Sequence, residues 1–301
     1  MNRLNLIPKF TTFLFLGGLI LHACTGENEP GPTQVDDDPA AIAKSAKRGL
    51  SYDLKQAADL DTLKSGVSWW YNWYHRTEAP ENYYEDYQME FIPMLWGRNA
   101  ASDFDLVKSF ILDHPEVSYL LVMNEPNLTD QLNMSPEQAA TEWVKYETLI
   151  DELADEGRTV ALVGPAMNWG TLANYSDPVV WLDAFYDAYH LAHNGEDPLI
   201  DYLAFHWYDY GLESQLDRLQ KYGKQIWITE MANWNANIDS YIKHAAQMTE
   251  MVHICETRDD VFRYAWFIGR GAENRYSNLF DSDPGELNML GELYISLPYS
   301  E

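Results

Sequence analysis

Short apolar runs alternate with longer stretches of helical periodicity from residue 48 onwards. Runs rich in Val, Ile and aromatic residues, too short for helices, are typical of strands that are buried on both faces. The strands that this pattern predicts span residues 48–52, 67–73, 91–96, 119–124, 159–164, 200–206, 225–229 and 261–268. The helical stretches between them predict βα units around a parallel sheet.

The helices carry recognisable start and stop signals. Ser135, Pro136 and Gln138 combine an N-cap, a proline at the first helical position and a capping-box partner. The helix that they begin is expected to end near Gly157. A later helix carries an apolar stripe that ends at Cys255, which is most simply interpreted as a small buried residue.

Eight predicted strands with intervening helices favour an α/β fold of the (β/α)8 barrel type, in one domain over residues 47–301. An open doubly wound sheet is the alternative. No Gly-rich phosphate loop supports that alternative. Hydrophobic residues make up 46% of the chain, which is enough for a large core and excludes global disorder.

The N-terminus has the pattern of a targeting segment. Arg3 and Lys9 precede an apolar run over residues 10–21 that is too short for a transmembrane helix, as in a signal peptide. Its end, LHAC at Cys24, resembles the bacterial lipobox, which implies cleavage after residue 23 and a lipid on Cys24. Residues 24–46 then form an acidic tether, and the protein is expected on the bacterial cell envelope, at the outer membrane or cell surface. An ordinary secretory signal would give a secreted protein instead.

Charge and aromatic content narrow the range of partners. The net charge of −27 disfavours binding to nucleic acid and to anionic membrane surfaces, but it is compatible with a neutral polymer. The chain contains 11 Trp and 20 Tyr, whose flat faces and polar edges suit a sugar-binding cleft. A large aromatic core would account for the same numbers.

Two buried runs end in a carboxylate. Residues 118–127 contain Glu125 and residues 225–231 contain Glu230, at the ends of the fourth and seventh predicted strands. A glutamate at the end of a buried strand is costly unless solvent, a partner or a substrate meets it. In a barrel both strand ends face the C-terminal side, so the pair could serve a glycosidase. An ordinary salt bridge at the rim is the alternative.

The wider motif set resembles glycoside hydrolase family 128 of clan A, endo-β-1,3-glucanases with a compact barrel. The motifs occur in order at nearly every strand end, over about residues 47–269: KRGLSYD, VSWWYNW, FIPMLWG, LLVMNEPN, VGPAMNW, IDYLAFHWYD, IWITEMANW and YAWFIG. The Asn-Glu-Pro sequence by itself would be much weaker evidence.

The resemblance implies roles for individual residues. Glu125 would be the general acid/base and Glu230 the nucleophile of a retaining mechanism, with carboxyl groups about 5–5.5 Å apart. Asn124 is placed like the residue that binds the sugar 2-hydroxyl. Tyr208 is placed like the tyrosine that hydrogen-bonds the nucleophile, and His206 lies at the same strand end.

Several tryptophans lie within or just beyond strands. Stacking on the apolar face of a sugar is expected of Trp73, Trp169, Trp234 and Trp266. Alternation along the second strand sends Trp69, Tyr71 and Trp73 to one face. No metal or cofactor is expected, because His190 and His193 lack further ligands and are best interpreted as surface residues.

Three functions follow from these observations. The first is a retaining endo-β-1,3-glucanase acting on β-1,3-glucan polysaccharide or its oligosaccharides, as a monomer. The second is a clan relative that acts on a mannan or a β-1,4-glucan. The third is a non-catalytic glycan-binding lipoprotein on a hydrolase-like barrel. The presence of both glutamates and Asn124 counts against the third function.

Overall fold

The computed structural model describes residues 41–271 and 275–299. The predicted signal peptide, Cys24 and most of the tether lie outside the described residues. The compact unit begins at residue 41 rather than at 47. Lys44, for example, donates a hydrogen bond from Nζ to the carbonyl of Val67 over 2.9 Å. Within the described ranges, no helix is both long enough and apolar enough to cross a membrane.

Nine strands form one parallel sheet in the order β3-β2-β1-β9-β8-β7-β6-β5-β4. The strands are β1 (Arg48–Ser51), β2 (Trp69–Tyr71), β3 (Glu90–Phe91), β4 (Met94–Leu95), β5 (Tyr119–Val122), β6 (Ala161–Met167), β7 (Tyr202–Trp207), β8 (Gln225–Met231) and β9 (Val261–Trp266). Each lies within or close to a predicted strand.

The two outermost strands of that order, β3 and β4, are consecutive pieces of one run separated by Ile92 and Pro93. Proline has no N–H to donate, so it interrupts a strand at this point. The Ile92 N–H bonds the Trp70 carbonyl over 2.9 Å, and the Pro93 carbonyl accepts from the Leu121 N–H over 3.0 Å. The run therefore joins both ends of the sheet, and the predicted (β/α)8 barrel is confirmed.

Helices alternate with the strands and cover the outside of the sheet. They are α1 (Ala57–Leu63), α2 (Tyr83–Tyr87), α3 (Ala101–Asp113), α4 (Pro136–Asp155), α5 (Pro178–Ala192), α6 (Leu212–Leu219), α7 (Tyr241–Thr257) and α8 (Met289–Ser296). The Ser135 side chain caps α4 by accepting from the Gln138 N–H, as predicted. Cys255 is buried in α7, also as predicted.

The core has an inner and an outer layer. Trp69 and Tyr71 of β2 point into the barrel, and Trp70 between them packs under the helices. The predicted alternation of this strand is therefore confirmed. An inner layer built of large aromatic side chains fills the barrel, so no open channel runs through it.

Aromatic rings and one cation close the N-terminal end of the barrel. The Arg263 guanidinium lies 4.8 Å from the ring centroid of Tyr119 and 4.9 Å from that of Trp227. It also forms an ion pair of 2.5 Å with Glu90. With this end filled, the opposite, C-terminal end is the one where polar side chains can line a cleft.

Candidate active site

Glu125 follows β5 in a strained backbone conformation. Its φ is +47°, and that of Met123 is +55°, in the left-handed region that side chains other than glycine rarely adopt. Such a conformation costs on the order of 1–3 kcal/mol and is often found at functional sites. The Glu125 N–H bonds the Ala166 carbonyl over 2.8 Å, which fixes this turn against β6.

Glu230 lies in β8, directly beside His206 of β7. The register between these strands shifts between Phe205 and His206, which indicates a β-bulge or a similar irregularity. Bulges re-aim side chains next to active sites. Glu125 and Glu230 are both buried, at 7% and 5% exposure, so their charges need partners within the protein.

One imidazole nitrogen contacts both carboxylates. His206 Nδ1 lies 2.8 Å from Glu125 Oε1 and 3.3 Å from Glu230 Oε2. One oxygen of each glutamate and one ring nitrogen of His206 all lie within 4.8 Å of one another. The two predicted catalytic residues and His206 are therefore brought together at the C-terminal end of the barrel.

Three neutral donors surround Glu230. Tyr71 Oη and Trp73 Nε1 donate to its Oε1 over 3.0 and 2.7 Å. The Tyr208 hydroxyl donates to its Oε2. Burial, reinforced by the charge of Glu230, raises the pKa of Tyr71 and of Tyr208 well above the ordinary value. Both phenols therefore stay protonated and act as hydrogen-bond donors to the Glu230 carboxyl group.

The pKa values of Glu125 and His206 shift in opposite directions. Burial raises the pKa of Glu125, but the hydrogen bond and charge of His206 and a 2.7 Å hydrogen bond from Asn168 Nδ2 outweigh it, so this pKa is lowered. Burial lowers the pKa of His206, but the charges of Glu230 and Glu125 outweigh it, so this pKa is raised. These opposite shifts favour the ion pair of a His206 imidazolium with the Glu125 carboxylate.

Aromatic side chains form the wall beside Glu230. The ring of Trp234 stacks on that of Tyr208 with centroids 4.4 Å apart, and Trp234 is 40% exposed. Phe267 packs against Trp73 at 5.8 Å and against Trp234 at 5.4 Å. This wall combines a fixed inner layer with one ring that solvent or a sugar can reach.

The other predicted substrate-binding residues have different surroundings. Asn124 is buried next to Glu125, and its Oδ1 has no hydrogen-bond partner among the described residues. Trp73 is only half-buried, but its indole N–H is already bound to Glu230. Trp169 is 48% exposed at the end of β6. Of these, Trp169 has the open ring that stacking requires.

The prediction that Trp266 forms a sugar platform is wrong. This side chain is 0% exposed, and its Nε1 donates to the Ser277 carbonyl over 2.7 Å. It packs towards Tyr294 of α8, at a centroid distance of 6.1 Å. The side chain faces the helix layer, so a sugar cannot reach its ring.

Three residues of the site received no predicted role: Tyr71, Asn168 and Phe267. The alternation of β2 already placed Tyr71 on the same face as Trp73, so that signal was present. Asn168 stands in the VGPAMNW motif, directly before Trp169. Phe267 follows the strand β9 by one residue, and no pattern in the sequence distinguishes it.

Glu125, His206 and Glu230 are close enough together to hold a metal ion. Their oxygens, however, already accept hydrogen bonds from Asn168, Tyr71, Trp73 and Tyr208. These bonds leave fewer lone pairs of the carboxylates for a cation. The arrangement fits better as a pair of hydrogen-bonded carboxylates, one of which is poised to react.

Two buried carboxylates at the C-terminal end of a barrel, flanked by exposed tryptophans, define the site of a glycoside hydrolase. Residues 49–294 match the family model described as glycosyl hydrolase catalytic core. A family 128, subgroup II endo-β-1,3-glucanase from Pseudomonas viridiflava is 52% identical, with a TM-score of 0.80 over 86% of this chain and 100% of its own. Another from Sorangium cellulosum is 31% identical, with a TM-score of 0.72 over 85% of this chain and 100% of its own.

The chain belongs to glycoside hydrolase family 128, as the motif set predicted. A curated relative, alkali-sensitive linkage protein 1 of Schizosaccharomyces pombe, is 28% identical over 267 residues, which are 84% of this chain. The chain spans 45% of the length of that relative.

The raised pKa of His206 predicts a pH-dependent stability. A folded pKa above the ordinary value of 6.5 gives a stabilisation that is fully present below pH 6.5 and is lost as the pH rises through the folded pKa. His206→Gln should therefore lower the free energy of unfolding most between about pH 5 and 6, and progressively less at higher pH. Urea unfolding across this range measures the difference.

His253→Gln, at an exposed position of α7, is the matched control for loss of a histidine side chain. A difference between wild type and His206→Gln that stayed constant, or that grew with rising pH, would contradict an imidazolium between the carboxylates.

Proposed function

We propose that the chain is a retaining endo-β-1,3-glucanase, with Glu230 as the nucleophile and Glu125 as the general acid/base. The observation that supports retention is the short separation of the two carboxylates, which have oxygens within 4.8 Å of each other. Retaining pairs are about 5–5.5 Å apart, whereas inverting pairs stand about 6.5–9.5 Å apart to admit a water molecule.

The hydrogen bonds of the two carboxyl groups support these roles. Glu230 accepts from Tyr71, Trp73 and Tyr208, and these three donors orient its carboxyl group as the proposed nucleophile. Glu125 lies 2.8 Å from His206 Nδ1, so a proton held by the imidazolium is within transfer distance of Glu125 Oε1. A glucan that fills the cleft excludes water and disfavours the charged form of Glu125, which draws this proton to the acid.

Hydrolysis then takes two steps. A Glu230 oxygen bonds to the anomeric carbon as the bond to the leaving oxygen breaks, and Glu125 gives its proton to that oxygen. In the second step Glu125 takes a proton from water, whose oxygen bonds to the anomeric carbon and releases Glu230. Two displacements at one carbon restore the original configuration.

The substrate and the endo mode rest on separate arguments. Two relatives at 52% and 31% identity are endo-β-1,3-glucanases, which favours β-1,3-glucan over mannan or β-1,4-glucan. Each carboxylate is connected to one exposed ring, Glu125 through Asn168 to Trp169 and Glu230 through Tyr208 to Trp234. A sugar platform connected to each carboxylate suits cleavage within a chain. The hydrogen bonds that support both glutamates argue against a non-catalytic role.

We expect the protein to release a series of oligosaccharides from laminarin and curdlan, with little action on β-1,4-glucan or mannan. Product analysis by chromatography, with Glu230→Gln as the inactive control, measures this. A preference for a β-1,4-linked substrate would reject the proposed specificity, and glucose as the sole early product would reject the endo mode.

Azide should rescue the Glu125→Ala and Glu230→Ala variants with different stereochemistry. Glu125→Ala should lower kcat/KM on laminarin by roughly 10²–10⁴-fold, and Glu230→Ala by at least as much. With an aryl β-laminaribioside, azide should give an inverted glycosyl azide from Glu230→Ala, because it attacks from the vacated face. Glu125→Ala should give the retained product, because the glycosyl-enzyme still forms on Glu230.

Glu213→Ala, at an exposed position of α6, is the matched control for removal of a carboxylate. Products of the same configuration from both active-site variants would show that the roles are assigned wrongly. NMR spectroscopy of the anomeric proton distinguishes the two azides.

We further propose that Cys24 is lipidated and that the protein is anchored at the cell envelope by this lipid. The support is the LHAC sequence after a short apolar run that follows basic residues. Expressed in a bacterium, the wild type should incorporate labelled palmitate and sediment with membranes, whereas Cys24→Ser should be unlabelled and soluble. A Cys24→Ser protein that stays with the membranes would reject the anchor. The monomeric state remains a prediction.

A further inference from the structure

The side-chain amide of Asn168 joins Glu125 to the backbone of Trp169. Its Oδ1 accepts a hydrogen bond from the Trp169 N–H over 2.8 Å. Because an N–H occupies the oxygen, the amide nitrogen is the atom that faces Glu125, and it donates to Oε1 over 2.7 Å. The Asn168 amide therefore links the backbone at Trp169 to the Glu125 carboxylate.

The loop that carries Trp169 is fixed to the segment that follows Glu125. The buried side chain of Asn127 donates to the Asn168 carbonyl over 2.7 Å and to the Tyr175 carbonyl over 3.2 Å. Gly170 packs so closely that a Cβ at this position would lie 2.1 Å from the Asn127 carbonyl oxygen. The backbone at Trp169 is held in place by these contacts.

Arg218 of α6 covers one face of the Trp169 ring. Its guanidinium carbon lies 5.5 Å from the ring centroid. An ion pair of 2.6 Å with Asp177 and a hydrogen bond of 3.0 Å to Gln215 fix the guanidinium. A ring that is supported from behind and 48% exposed can stack on a sugar with little loss of side-chain freedom.

Trp234 is linked to the other carboxylate. Its ring stacks on Tyr208, and the hydroxyl of Tyr208 donates to Glu230. The two exposed tryptophans thus belong to different carboxylates. Each carboxylate contacts a different side of the bond that is cleaved, since the acid meets the leaving oxygen and the nucleophile meets the anomeric carbon.

We propose that Trp169, supported by Arg218, is the platform for the leaving-group part of the glucan, and that Trp234 serves the part that is transferred to Glu230. This rests on the proposed function, because it takes Glu125 as the acid. The same Trp169 platform receives the acceptor sugar when the glycosyl-enzyme transfers to a glucan instead of to water. Arg218 acts through Trp169 and is a positioning residue.

Two substrates distinguish binding of the leaving group from binding of the transferred part. Laminarihexaose places sugars on both sides, whereas 2,4-dinitrophenyl β-laminaribioside has an aryl leaving group that needs no sugar platform. Trp169→Ala should lower kcat/KM for the hexaose about tenfold, as truncation of an aromatic anchor does, and change that for the aryl glycoside less than about twofold. The ratio of transglycosylation to hydrolysis should fall as well.

Arg218 offers a graded test of the support. Arg218→Ala should lower kcat/KM for the hexaose about threefold, and Arg218→Lys should do the same, because lysine keeps the charge but lacks the planar stack. Lys221→Ala is the matched control, since Lys221 pairs with Asp183 at 2.7 Å and lies over the Tyr222 ring. The control variant should have an unchanged kcat/KM for both substrates. Thermal unfolding of each variant checks its folding.

If folded Trp169→Ala lost kcat/KM equally for both substrates, or lost none for either, the assignment would be overturned. A larger loss for Trp234→Ala on the hexaose than on the aryl glycoside would also overturn it. A wild type that hydrolyses neither substrate would reject the proposed function itself, and with it this inference.

Discussion

The contact of His206 Nδ1 with two carboxylates is the interaction on which the site depends. Glu125 and Glu230 are buried with oxygens within 4.8 Å of each other, and two unscreened negative charges at that distance repel strongly. His206 contacts both carboxylates at once, and its raised pKa favours the charged form that would offset this repulsion. The irregular register beside His206 and the left-handed backbone at Glu125 serve to bring the three groups together.

The remaining donors make the two carboxylates unequal. Tyr71, Trp73 and Tyr208 all donate to Glu230, whereas Glu125 accepts from Asn168 and shares the imidazole. Neutral donors can hydrogen-bond a carboxylate without adding another charge to the site. The two carboxylates therefore have different surroundings, and acid/base catalysis by a carboxylate pair requires such a difference.

The fold and the close pair of glutamates could be predicted because both depend on local sequence. Buried strands, helix caps and the two glutamates at strand ends are readable within about ten residues of chain. The orientation of single side chains was harder to predict, because the register shifts in β6 to β9 break the two-residue alternation. Trp266 was assigned by its place near a strand end, but it faces the helix layer. Asn168 depends on the loop geometry set by Asn127, from a distant part of the chain.

The choice of histidine, and not arginine, as the compensating cation has a chemical consequence. An arginine between the glutamates would offset their charges equally well, but its guanidinium stays protonated and cannot supply a proton. A His206 imidazolium 2.8 Å from Glu125 can offset the negative charges of the glutamates. It can also give its proton to the acid when substrate binds. In a chain with a net charge of −27, a fixed cation would be the simpler way to stabilise this pair. A titratable cation is the arrangement that stabilises the pair and also allows the proposed proton transfer.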